Sequence, residues 1–347
     1  MKATDPIRVL IVDDSAYIRK VLTEMLSNSA RIQVVGTARN GLDALEKVAE
    51  LKPDVVTLDL IMPELDGVGF LREQMKRRRL PVIVVSIASE NGELVVSALE
   101  AGALDFVQKP TALASERVFE IQTDLIQKVI TAAAIEPAKI PGELTLPSAA
   151  ATGIQPKGLV DAVVLGISTG GPQALTQLIP RLPKDFPVPM AIVLHMPVGY
   201  TALFAARLNE ISALEVIEAS EGDEMLPGRV LVAPAGRHLT FMRLQDGRVV
   251  SHLDLRPLDT LHRPAVDVLF RSAAEIYGKR LLGVVMTGMG NDGTAGCAWI
   301  KAQGGMVIAE AEESCVVYGM PRSVIEAGMA DIVAPLDRMA ETIMANS

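Results

Sequence analysis

The stretch IRVLIVDD at residues 7–14 decides how the chain begins: five apolar residues among six, mostly β-branched, run straight into paired aspartates. A run of this length without alternation reads as a strand buried on both faces, as inside a parallel sheet. Three further runs share the form, VVTL (55–58), VIVV (82–85) and ALDFVQ (103–108), and they end at Asp59, Ser86 and Lys109. Helical patterns separate them, so strand and helix alternate five times. In an open α/β sheet, ligands collect beyond the carboxyl ends of the strands, which brings Asp13, Asp14, Asp59, Ser86 and Lys109 to one edge. Three crowded carboxylates repel unless a divalent cation neutralises them. Hard oxygen donors with room left for phosphate suit Mg²⁺. With Lys109 to hold the oxygens of a phosphoryl group in transit, Asp59 has the surroundings of a nucleophile.

That constellation, with the segment DLIMPELDG (59–67), the pair Lys109-Pro110 and the aromatic Phe106, resembles the receiver domain of bacterial response regulators over residues 6–125. The resemblance implies a flavodoxin-like (βα)5 fold with Asp59 as phospho-acceptor. It also implies Asp14 and Asp59 as direct Mg²⁺ ligands with the backbone carbonyl of Ile61, Asp13 acting mainly through water, and Ser86 and Lys109 on the phosphoryl oxygens. Ser86 stands where threonine is commoner, and the hydroxyl is kept.

At 347 residues the chain is too long for one ordinary core and suits two domains. No apolar run approaches the roughly 18 residues that span a bilayer. The N-terminus reaches aspartates too early for a signal peptide, so a cytoplasmic protein without membrane insertion is expected. Two cysteines, Cys297 and Cys315, are too few for a disulfide framework or a cysteine-rich zinc site and are expected to be small buried residues. A net charge of −9 argues against nucleic acid as a partner, because neutralising phosphates takes clustered Lys and Arg. The one basic run, Lys76 to Arg79, follows a helical pattern and complements its negative end.

The texture changes after the amphipathic pattern of residues 114–130, whose Val118, Ile121, Leu125, Ile126 and Val129 recur at helical spacing. Prolines and small residues without a period then mark a linker. The expected division is a receiver at 1–127, a linker at 128–158 and a second domain at 159–347. In the last, strand candidates are LVDAVVLGI (159–167), PMAIVLH (189–195), GRVLVAP (228–234), LLGVVMTG (281–288) and GMVIAE (305–310). HLTFMRL and GRVVSHL flank an Asp246-Gly247 turn and read as a hairpin. A doubly wound α/β domain follows, a mixed sheet with helices on both faces that includes the antiparallel hairpin.

Its first strand runs into GISTGGP, where Gly166, Ser168 and Gly170 satisfy G-x-S-x-G at a strand-to-helix turn. By itself the motif is weak, since glycine-rich turns more often cradle a phosphate or simply permit packing. A serine nucleophile needs a base, and the chain offers His195, His238, His252 and His262. Only His195 closes the next strand and so reaches the carboxyl edge beside Ser168. An orienting acid is available in MTGMGNDGTAG (286–296), where Asp292 follows another buried strand in a glycine-rich loop able to offer amides to an oxyanion. The order serine, histidine, aspartate is not that of α/β-hydrolases, so membership of that fold is not implied.

GISTGGP, the LHMP segment (194–197), GRHL (236–239), HRPAVDVLF (262–270), TGMGNDG (287–293) and VVYGMPR (316–322) resemble the catalytic domain of the chemotaxis protein-glutamate methylesterases, the CheB type, from about residue 160 to 345. The resemblance implies a Ser168–His195–Asp292 triad, backbone amides of Thr169 and Met289 as oxyanion donors, and no cofactor for the esterase. It implies demethylation of glutamyl methyl esters and deamidation of certain glutamines on methyl-accepting chemoreceptors. A histidine kinase of a chemotaxis-type pathway would be the phosphodonor, and the unphosphorylated receiver would block the catalytic edge. Ala265 stands where the family often has serine. Ile61 stands where enteric members carry an acid, which bears on phosphorylation rates. Three alternatives stay open: a nucleotide-binding output, a serine hydrolase with another substrate, and a catalytically dead regulatory output. The first wants an acid closing the strand that follows the glycine turn, where this chain has His195.

Overall fold

The structure, a computed structural model, describes residues 5–86, 92–109, 116–140, 142, 158 and 160–347, without the side chains of 116–120. The chain divides into two compact units, Met1–Thr145 and Leu146–Ser347. Most of the expected linker, with Pro110, Leu159, the start of the 114–130 pattern and the Val118 side chain, lies outside the described residues.

Five strands of the first unit, β1 (Ile7–Val12), β2 (Ile32–Ala38), β3 (Val55–Leu58), β4 (Val82–Ser86) and β5 (Asp105–Gln108), alternate with five helices. The helices are α1 (Ala16–Ser27), α2 (Gly41–Leu51), α3 (Gly67–Arg77), α4 (Gly92–Glu100) and α5 (Glu116–Ala133). The strands form one parallel sheet in the order β2-β1-β3-β4-β5, the flavodoxin-like arrangement. Side-chain oxygens start the helices: Ser15 accepts from Ile18 N, Asn40 from Asp43 N and Asp66 from Gly69 N. Helix α5 continues to Ala133, past the expected receiver limit at 127, because its buried face carries on through Leu125, Val129 and Ala132. The basic run sits where expected, with Lys76 and Arg77 in the last turn of α3.

In the second unit the strands are β6 (Ala162–Ile167), β7 (Met190–Leu194), β8 (Glu215–Glu218), β9 (Arg229–Val232), β10 (His238–Arg243), β11 (Val249–Asp254), β12 (Leu281–Val285), β13 (Met306–Glu310) and β14 (Ile332–Ala334). Its helices are α6 (Gly171–Leu178), α7 (Thr201–Ile211), α8 (Val266–Tyr277), α9 (Thr294–Ala302), α10 (Met320–Glu326) and α11 (Leu336–Asn346). Seven strands build one sheet in the order β14-β13-β12-β6-β7-β9-β8, every pairing parallel. The sheet is therefore not mixed: β10 and β11 pair antiparallel in a ladder of their own, packed on α8. Helices cover both faces, α8, α9 and α10 on one and α6, α7 and α11 on the other. Alternate residues of the central strands feed each layer, so Ala162, Val164, Ala191 and Val193 join Val266, Leu269 and Phe270 in one core. Cys297 and Cys315 are small buried residues, as expected. Among the described residues no helix is long and apolar enough to cross a membrane.

Strands β2, β8 and β14 were not among the apolar runs, and all three lie at sheet edges. These three are partly exposed, so they lack the continuous apolar signature of the buried ones. Strand order reverses at the sheet centre between β1 and β3 in the first unit and between β6 and β12 in the second. There the flanking loops diverge to opposite faces and leave a crevice at the strand ends.

Candidate functional sites

In the first unit the crevice holds Asp13, Asp14 and Asp59 from the loops after β1 and β3, with oxygens within 4.8 Å of one another. Asp13 and Asp59 are buried and Asp14 is exposed at the mouth. Lys109 Nζ reaches from the end of β5 to Asp13 Oδ2 at 2.8 Å and Asp59 Oδ2 at 2.7 Å. Ser86 closes β4 and is buried beside it, its carbonyl accepting from Lys109 N at 2.8 Å. Arg19 donates to the carbonyls of Asp13 and Asp14, which fixes the loop that presents the acid pair. Burial pushes the Asp59 carboxyl up, and nearby Asp13 adds to that, against the pull of Lys109 and of Leu60 N. Burial would lower Lys109, yet its contacts with Asp13 and Asp59 outweigh it and hold the ammonium charged. One ammonium does not balance three carboxylates, and all the donors are hard oxygens, so the residues fit a divalent cation of the Mg²⁺ type.

In the second unit the same topology assembles a different chemistry. Ser168 follows β6 and is half-buried; its amide donates to Thr287 O at 3.0 Å, beyond the end of the neighbouring β12. Gly170 follows at φ +78°, where an added Cβ would lie 2.7 Å from Val316 Cβ, so the turn that lifts Ser168 out of the sheet requires glycine. Gly288 is demanded by close approach, since a Cβ there would stand 2.8 Å from Ser168 Cβ. His195 ends β7, the strand on the other side of β6, and its amide donates to Ile167 O at 3.2 Å. Asp292 comes from the loop after β12, and its Oδ2 lies 2.9 Å from His195 Nε2.

Asp292 also accepts from the first amides of α8, Val266 N on Oδ2 at 2.8 Å and Asp267 N on Oδ1 at 2.9 Å. Burial raises its pKa, but the bonds from His195 and the two amides overcome that and leave the carboxyl below its ordinary value. An ionised Asp292 accepts only, so the proton on this side of the ring sits on Nε2. His195 Nδ1 is buried with no hydrogen-bond partner among the described residues. A lone pair left free on that nitrogen is what a general base presents.

Two peptide planes are held in place beside the serine. Ser168 O accepts from Gly171 N, and Gly288 O accepts from Gly319 N and Met320 N at 3.1 and 2.9 Å. Fixing those carbonyls fixes the N–H groups of Thr169 and Met289 on the same peptides. Thr287 ties the loops together, its hydroxyl donating to Thr169 O at 3.0 Å and accepting from Val317 N at 3.0 Å. Its own amide is held by the buried Glu310 at 2.8 Å.

Sequence reasoning did not single out Thr287, Glu310 or Asp267. Asp267 Oδ1 accepts from Gly293 N at 2.9 Å and Gly296 N at 2.6 Å, so each of α8 and α9 is capped by an acid that belongs to the other's N-terminal segment. A capping signal was available in Asp267, at the first turn of a strongly periodic helix, but nothing in the spacing said which helix it caps. Of the remaining histidines, His262 stacks on His195 with centroids 4.0 Å apart and 23° between planes. His252 pairs with Glu221 away from the site, and His238 is a buried loop anchor.

With this geometry in place, the likenesses to known proteins are specific. The family model for CheB methylesterase matches residues 163–343, and that for the response regulator receiver domain matches residues 9–117. A protein-glutamate methylesterase/protein-glutamine glutaminase of Myxococcus xanthus is 53% identical over 98% of this chain and 97% of its own. Its counterpart in Symbiobacterium thermophilum is 47% identical over 97% and 96%. The crystal structure of the Thermotoga maritima CheB methylesterase catalytic domain covers 53% of this chain and 97% of its own, at 48% identity and a TM-score of 0.52.

Proposed function

The chain belongs to the CheB methylesterase family, and from that premise we propose that it is a phosphorylation-activated serine hydrolase acting on chemoreceptors. It removes methyl groups from γ-glutamyl methyl esters as methanol and deamidates particular glutamines, so it resets receptors after stimulation. The observation that carries the reaction is the His195 Nε2 to Asp292 Oδ2 bond with Nδ1 left buried and unbonded, at the strand edge that presents Ser168.

His195 Nδ1 takes the Ser168 proton as Oγ attacks the ester carbonyl, and Asp292 stabilises the imidazolium that results. Thr169 and Met289 amides hold the oxyanion of the tetrahedral intermediate, a contribution typically worth about 10²–10³ in rate per donor. The imidazolium then gives its proton to departing methanol. Water deprotonated by the same nitrogen attacks the acyl-serine, releasing glutamate and restoring Ser168. Deamidation follows the same course with ammonia leaving.

In the receiver, Asp59 accepts the phosphoryl group from a histidine kinase of a chemotaxis-type pathway. Asp13, Asp14 and Asp59, with the Ile61 carbonyl, would hold Mg²⁺, which when bound neutralises the carboxylates and binds phosphoryl oxygens. Ser86 and Lys109 contact the remaining phosphoryl oxygens. Phosphorylation of Asp59 shifts the population toward the active esterase. The division of labour is a receiver ending with α5, a linker reaching residue 158, and a catalytic domain at 159–347, all in the cytoplasm.

The test is methanol release from methylated receptor membranes, with and without a small phosphodonor. Wild type is expected to be stimulated, Asp59→Asn to keep only unstimulated activity, and Ser168→Ala to release none. Methanol release by Ser168→Ala would refute the mechanism.

A further inference from the structure

We propose that an anchored apolar rim beside His195, made of Leu255, Leu258, Leu261 and Val198, docks the apolar face of the receptor helix that carries the scissile ester. This rests on the esterase function above and adds the surface that selects its protein substrate.

The connection from β11 to α8 exposes Leu255, Leu258 and Leu261 at 53%, 67% and 91%. Singly exposed apolar residues are ordinary, but three within seven positions, interleaved with exposed Arg256 and Asp259, make a patch of mixed character suited to an amphipathic partner. The segment is not slack. Pro257 O accepts from His238 Nε2 at 3.1 Å, Leu258 O from Arg263 at 3.2 Å, and Arg263 O from Gly236 N at 2.9 Å. Ala265 N donates to His238 Nδ1 at 3.2 Å, so one imidazole, 0% exposed, clamps both ends of the connection. Burial holds His238 below its usual pKa, which suits a neutral ring donating at one nitrogen and accepting at the other. Leucines held outward on a pinned backbone lose little freedom when a partner covers them.

The patch borders the chemistry. His262, the residue after Leu261, stacks on His195. On the other side Val198, three residues past His195 and 64% exposed, packs at Gly236, where an added Cβ would lie 3.1 Å from Val198 Cγ2. Gly236 in turn bonds Arg263 O, so the valine and the leucine segment are joined through one backbone contact. The leucine segment and Val198 are thus both tied to residues around His195, one through His262 and the other through its own short link to the strand end. A glutamyl ester is a short side chain, so the helix bearing it must come close to Ser168, and its neighbouring turns then meet this rim. Helix-on-groove recognition of this kind reads apolar residues at i, i+3 and i+4.

The experiment compares the phosphodonor-activated full chain with its Leu258→Ser/Leu261→Ser and Val198→Ser variants on two substrates. One is methylated receptor in membranes; the other is a short soluble peptide carrying a glutamate γ-methyl ester. The rim predicts a fall in kcat/KM on receptor of at least about ten-fold, carried by KM, as for loss of interface anchors. Hydrolysis of the short peptide should stay at the wild-type rate, which also shows that the variants are folded. Unchanged receptor kinetics overturn the proposal. An equal loss on both substrates also overturns it, since the segment would then act on His195 through His262. A rise in activity without phosphodonor overturns it too and assigns the rim to the chain's own receiver. No methanol from either substrate with wild type would instead overturn the esterase function on which the proposal rests.

Discussion

Asp267→Ala is expected to slow the reaction from a position that touches no substrate. Its carboxylate holds Gly293 N and Gly296 N, the start of α9, and so steadies the residue next to Asp292. Both glycines are buried, and an unsatisfied buried donor costs about 1–3 kcal/mol, so with some relief from water the loss is on the order of 2–4 kcal/mol. In a unit of this size that lowers the melting temperature by about 5–15 °C. A loosened Asp292 no longer aims His195, and displacements near 1 Å cost up to about 10² in rate, so kcat should fall about 10–100-fold with KM little changed.

Asp267→Asn separates position from charge, because its amide oxygen can replace Oδ1 as acceptor. Burial above all, with the neighbouring Asp292 charge, holds the Asp267 carboxyl above its ordinary value of 3.8 despite the glycine amides. The folded state therefore binds this proton more tightly than the unfolded chain. Stability declines as pH rises from 3.8 through the raised value, and the ionised form is a liability at neutral pH. The Asn variant should lack that decline, match or exceed wild-type stability at pH 7, and keep most of the rate. Methanol release across pH and urea unfolding of both variants measure this. An Ala variant with wild-type kcat, or an Asn variant as slow as Ala, refutes the reasoning.

Asp292→Asn should lower kcat by about 10³–10⁴, the size found when a triad carboxylate no longer sets the tautomer. Because the folded Asp292 pKa is depressed, its stabilisation is present above 3.8 and lost as pH falls through the lower folded value; the Asn variant should lack that acid step in urea unfolding. Gly288→Ala places a Cβ 2.8 Å from Ser168 Cβ and 2.4 Å from Met320 Sδ. The flexible thioether can yield and Ser168 cannot, so melting should show an overpacking loss of about 1–3 kcal/mol while methanol release drops further than that destabilisation explains.

Much of both sites was legible because a buried parallel strand is a continuous apolar run, and the residue that ends it must lie at the sheet's carboxyl edge. That logic placed Asp13, Asp14, Asp59, Ser86 and Lys109 together, and His195 beside the Ser168 turn. It failed for β2, β8 and β14, whose exposed faces break the run, and it merged the hairpin into the main sheet because a ladder's partner cannot be read from its turn.

Sequence alone determined where each strand buried on both faces ends and therefore which side chains come to the two carboxyl edges, since such burial places the polar residues of those runs mainly at their ends. The tertiary structure decided what those groups do to one another. That Asp292 bonds His195 Nε2 and leaves Nδ1 open, that His262 stacks on His195, and that Asp267 and Asp292 cap each other's helices are all contacts between segments distant in the chain. Their geometry is set by how helices seat on a sheet, and no local spacing encodes it.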